Sequence, residues 1–178
     1  WSSDVCSSDL SSGFTFISRQ TASAGSSVDF NGVFTSTYQS YLVIVENLSG
    51  SAVSDLQLQL KYSTSTTQTT GYYGNSFSAA FNSSSLSSTQ SSNASQFTII
   101  SQGLYNASSD PASVQMLISP AGNSSVRTTY HGTGFNPNTG GGVFFGGTCS
   151  SQTYTGFLLK PSTGTFTGSV TVYGLAKS

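Results

Sequence analysis

The sequence predicts an all-β fold: an antiparallel two-sheet sandwich of jelly-roll or Greek-key type, with a closed barrel as the alternative. Three observations point there. Apolar and polar residues alternate with period two in short segments. Gly, Ser, Asn and Pro punctuate those segments at regular spacing. No window of useful length carries a 3.6-residue period, so no convincing helix competes.

The elements follow in chain order. "FTFIS" (14–18) and "SVDFNGV" (27–33) open the series. "YLVIVEN" (41–47) is apolar at every position until Glu46, the pattern of a central strand covered on both sides. "DLQLQLKYS" (55–63) is the cleanest alternation: Leu56, Leu58, Leu60 and Tyr62 share a core face, while Gln57, Gln59 and Lys61 share a face expected in water. "STSTTQTTGYYGNS" (63–76) reads as a ribbon or exposed loop. Residues 76–96 read as a long loop with one helical turn at most, because Ser and Asn compete with helix by bonding the nearby backbone. Strands resume at 96–101, 113–119, 125–132, 142–148, 154–160 and 168–176. "SPAGNSS" (119–125) reads as a hairpin link, with Pro120 early and Gly122–Asn123 able to take positive φ. In the last segment, "GSVTVYGLA", Val170, Val172 and Gly174 share one face, and Thr171, Tyr173 and Leu175 the other. Uncharged until Lys177, this strand is expected to be paired within the sandwich, with Tyr173 facing an oligomer partner.

Composition narrows the function classes. The chain has 178 residues, one domain's worth. Only 6% of them are charged and the net charge is −1, against about a quarter charged in typical domains. Nothing in that balance neutralises a phosphate backbone, so no nucleic-acid partner is expected. No basic amphipathic stretch or long apolar run argues for a membrane. Aromatic residues make up 12% of the chain and supply the core material that disordered segments lack. The reading is a neutral, hydroxyl-covered β protein.

Candidate chemistry is sparse. "HGTGFNPNTGGGVFFGGTC" (131–149) holds the only histidine, His131, and one of two cysteines, Cys149. A metal site needs several His, Cys or carboxylate ligands, and a phosphate loop needs Gly-rich backbone leading into a helix; this stretch has neither. It reads as a strand ending at His131, a flexible connection and a new strand at "VFF". The carboxylates Asp29, Glu46, Asp55 and Asp110 occur singly, whereas a glycosidase needs two that face each other. A serine triad would need a positioned acid behind His131. No catalytic, cofactor or metal residue is therefore assigned, and no cofactor is expected. Five N-x-S/T sequons, at Asn47, Asn82, Asn93, Asn106 and Asn123, matter only in a host that glycosylates. Tyr72, Tyr73 and Tyr173 are the candidate ligand or interface contacts, since tyrosine joins apolar area to a hydrogen-bonding tip. For the adjacent pair, the alternative is that one ring packs inward.

The start differs from the rest. "WSSDVCSSDL" (1–10) has no strand alternation, no helical period and no signal-peptide core. Residues 2–10 resemble the translated read-through of a sequencing adapter, which implies that the natural start is missing. The expected organisation is a disordered or artefactual segment over 1–13 and a single β-sandwich domain over 14–178. Cys6 and Cys149, which would form one disulfide in a secreted chain, are expected to be unbonded, with Cys149 a small filler or an exposed thiol.

Two regions carry a family resemblance. "ISRQTASAGSSVDFNGVFTSTYQSYLVIVENL" (17–48) resembles the opening of small β-rich proteins from bacteriophage genomes, and "YTGFLLKPSTGTFTGSVTVYGLAKS" (154–178) resembles their ending. With the middle "SPAGNSSVRTTYHG", the resemblance spans most of residues 17–178. It implies a non-enzymatic virion component (tail, fibre or capsid decoration), self-associating, with homotrimers usual among fibre-like members. Its implied partners are further copies and other virion proteins, and its implied location is the virion, after assembly in the bacterial host cytoplasm. A glycan-binding module or fibre tip using the loop tyrosines is the alternative, with host-surface glycan as its partner. A hydrolase is the third class.

Overall fold

A computed structural model describes residues 13–81, 83–105 and 110–176. The expectations for residues 1–12, including Cys6, and for Asn82 and Asn106 lie outside these. The described residues form strands without helices: β1 (Phe14–Gly25), β2 (Val28–Phe30), β3 (Tyr38–Gly50), β4 (Ser54–Lys61), β5 (Tyr72–Ala79), β6 (Leu86–Ala94), β7 (Phe97–Leu104), β8 (Ala112–Ser119), β9 (Thr128–Asn136), β10 (Gly141–Cys149), β11 (Gly156–Pro161) and β12 (Phe166–Ala176). They make two antiparallel sheets, one of eight strands in the order β1-β12-β3-β8-β9-β10-β5-β6 and one of four in the order β2-β11-β4-β7.

The strand order resolves the sandwich type. With the hairpins β5–β6 and β9–β10 set aside, eight strands remain. They pair first with last, second with seventh, third with sixth and fourth with fifth: β1 with β12, β2 with β11, β3 with β8 and β4 with β7. A long antiparallel hairpin rolled into two layers has this pairing, and it is a jelly roll. The two hairpins then widen one sheet beyond β8. Each of the ten segments read as strands from the sequence contains a strand, although 31–33, 125–127 and 154–155 lie outside theirs, and β12 lies between β1 and β3.

The core lies between the inner faces. At one end Phe30 stacks on Phe157 at 4.9 Å, and Phe34 meets both Phe157 and Tyr41. Next to them Tyr62 packs on Tyr154 at 5.4 Å, and from β7 Phe97 packs on Tyr130 at 4.5 Å. Leu56, Leu58, Leu60, Val43, Val45, Val170 and Val172 fill the middle, all buried. Glycines on the widened part make room for neighbouring rings. Gly132 is registered with Phe145 and Gly147 with Tyr130, and a Cβ at either would strike that ring.

Several sequence expectations require correction. Residues 76–96 are mostly the hairpin β5–β6, not a loop. His131 sits mid-strand in β9, and 137–140 is a tight turn into β10. Strand β3 is covered on one side only: Tyr41, Val43 and Val45 are buried, while Leu42 and Ile44 are partly exposed on the outer face. Gln57, Gln59 and Lys61 are buried rather than in water. Neighbouring turns and strands meet the polar groups of two of them: Gln59 donates to the Ser95 carbonyl at 2.9 Å, and Lys61 reaches Asp29 and the Thr64 carbonyl.

Candidate functional surface

The sandwich does not bring the three candidate tyrosines together. Tyr72 and Tyr73 are consecutive in β5, so alternation sends their rings to opposite faces. Tyr72 is fully buried, accepts from the Leu60 N–H at 2.6 Å and is ruled out as a surface contact. Tyr73 is partly exposed on the outer face, with the Arg127 guanidinium over its ring at 5.5 Å. Tyr173 is half-buried on the same face, edge-on to Phe16 at 6.1 Å, but four strands separate β12 from β5.

His131 and Cys149 are not partners either. His131 is registered with Gly146, on the outer face; Cys149 faces the core. Its thiol is buried, not exposed, and accepts from the Tyr154 hydroxyl at 3.3 Å. Burial pushes the Cys149 thiol above its ordinary value, against smaller lowering by the Tyr154 hydrogen bond. Tyr72, Tyr130 and Tyr154 around it are likewise held protonated, chiefly by burial. This cluster is an uncharged packing unit. The carboxylates are dispersed. Asp29 holds Lys61 on the small sheet. Asp55 accepts the Gln102 N–H at 2.8 Å. Glu46 stands on the outer face of the large sheet. Among the described residues no group of three His, Cys, Asp or Glu could hold a metal ion.

The outer face of the large sheet is the distinctive surface. Cross-strand registers place its side chains in rows. One row runs Phe16, Tyr173, Leu42, Leu117, His131; the next runs Arg19, Thr171, Ile44, Gln115, Thr133, Phe144, Phe77. Two features stand out. Beside the β6 edge, Phe81 (90% exposed), Leu86 (69%), Phe144 (63%) and Phe77 (40%) form an apolar patch. Between β3, β8 and β9 lies a shallow groove of about 440 Å³, whose side chains include Ile44, Glu46, Ser113, Gln115, Thr133 and Phe135. Sequence reasoning missed both, because the hairpin that carries the patch reads as a serine-rich loop and the groove exists only across strand registers.

The sheet edges differ in how they are guarded. β1 carries two register shifts and Arg19, and β2 has only three residues. β7 is irregular along β4. β6, "LSSTQSSNA", is nine residues long, carries no charge and pairs regularly with β5 from Gly74 to Ala79. No protein-family model and no curated protein matches the chain.

Proposed function

We propose that this protein is a non-enzymatic structural subunit of a phage particle, and that it self-assembles through the β6 edge and the apolar patch beside it. The observation that carries the reading is the long uncharged edge flanked by Phe77, Phe81, Leu86 and Phe144. An unguarded edge offers a row of free N–H and C=O groups to another strand. Contiguous exposed apolar side chains mark interaction surfaces. Here the two coincide, and a second copy presents the same pair of features. The jelly roll supports the reading at fold level, since viral capsid and lectin domains share it, although fold alone does not fix function. The phage context rests on the resemblance at 17–48 and 154–178. Other virion proteins are the remaining partners, and the particle is the proposed location.

Sedimentation velocity of the full chain at tens of micromolar tests this. Oligomers are expected, with Phe81→Ser combined with Leu86→Lys shifting them to monomer. A clean monomer for the unmodified chain at high micromolar concentration would overturn the assembly reading.

A further inference from the structure

We infer that the groove between β3, β8 and β9 is a binding site for a neutral oligosaccharide. The loop-tyrosine version of glycan binding is lost with the burial of Tyr72; the groove offers a different site on other residues, away from the β6 edge.

The groove's chemistry matches that of a sugar ring. A sugar ring presents an apolar C–H face and a rim of hydroxyls that donate and accept. The groove supplies both counterparts in adjacent rows. Ile44 and Phe135 offer apolar surface. Gln115 offers a carbonyl and two N–H donors, Thr133 and Ser113 offer hydroxyls, and Glu46 offers a carboxylate. Register fixes their spacing: Ile44, Gln115 and Thr133 lie directly across three neighbouring strands, and Ser113 lies opposite Phe135. Glu46, Ser113, Gln115, Thr133 and Phe135 are all exposed, so these groups are open to a ligand.

The charge in the groove suits a neutral ligand. The carboxylate of Glu46 lies 3.6 Å from the Arg19 guanidinium, which also donates to Ser169 at 2.9 Å. The one anion in the groove is thus balanced, and no unpaired cation lines it to hold phosphate or an acidic sugar. The volume, about 440 Å³, falls in the range of small-ligand sites, about 300–1,000 Å³.

Glu46 sits beside an irregularity in the sheet. The β3 register slips between Val45 and Leu48 against β8, and the β12 register slips between Thr167 and Ser169 against β3. Asn47 takes φ 54° there, and Gly168 takes φ 153° where a Cβ would meet Leu48 and the Glu46 carbonyl. Bulges of this kind re-aim a side chain. This one interrupts the ladder just after Glu46, which stays in register with Ser169 at the groove rim.

Saturation-transfer NMR on the full chain with chitohexaose, cellohexaose, maltohexaose and mannohexaose tests the site. Transfer to at least one hexasaccharide is expected. Gln115→Ala and Phe135→Ala, each checked by a thermal melt, should weaken it at least fivefold. Phe81→Ser with Leu86→Lys should leave it unchanged, which separates this site from the assembly reading. No transfer to any of the four sugars, or undiminished transfer in both groove variants, would overturn the proposal.

Discussion

Lys61 shows how a polar residue can belong to a core. Its side chain is 3% exposed, while that of its partner Asp29 is 39% exposed. The ammonium lies 2.6 and 2.5 Å from the two carboxylate oxygens and 2.9 Å from the Thr64 carbonyl. The two halves of the pair are therefore unequal. Removing the negative charge leaves a buried cation with only neutral carbonyl oxygens; removing the amine leaves a carboxylate that water reaches. Asp29→Asn is expected to cost about 3 kcal/mol and Lys61→Met about 1 kcal/mol or less. Urea denaturation of both variants and of the double variant checks this. Equal losses would show that the pair is not anchored by the burial of Lys61. In the sequence, Lys61 continues the alternating Gln57–Gln59 face, and alternation alone cannot tell water from a polar layer of turns packed over the sheet.

At the scale of elements, the strands with apolar inner positions were legible and the β5–β6 hairpin was not. Along β5 the inner positions after Tyr72 are Gly74, Ser76 and Ser78, and along β6 they include Ser91. Ser76 is buried because its hydroxyl donates to the Ile99 carbonyl at 2.7 Å. A hydrogen bond thus fills the place of an apolar side chain, and the period-two signal vanishes. The same gap hid the apolar patch, whereas the inward packing of one ring of the Tyr72–Tyr73 pair was an open alternative in the sequence. Strands β9 and β10 use another device, rings lying over glycines. Gly132→Ala would push a methyl into the Gln115 carbonyl and the Phe145 ring. A loss of about 1–3 kcal/mol is expected. Gly142→Ala, with open space around its Cβ, should stay within about 0.5 kcal/mol. Thermal denaturation of the two variants compares them. A neutral Gly132→Ala would mean that the ring does not rest on that glycine.

For the whole molecule, the buried thiol and phenols link stability to pH. Cys149, Tyr72, Tyr130 and Tyr154 are held protonated by burial, above ordinary values of 9.0 for the thiol and 10.0 for the phenols. The unfolded chain releases those protons first. Stability is therefore complete below about pH 8 and falls as pH rises through the unfolded values toward the folded ones. The urea midpoint should drop between pH 8 and pH 10.5, and Cys149→Ala should delay the onset. A flat profile would mean that these groups ionise equally well when folded. The pairing of β1 with β12 has a different kind of consequence, one of timing. Phe14 finds its partner in Leu175. At about 5–20 residues per second, β1 waits on the order of ten seconds on the ribosome before β12 is made. Until then β3 also lacks a neighbour, and the large sheet has an open gap. Sparse charge offers little protection during that wait, so the polar cover of the newborn chain comes mainly from its serines and threonines.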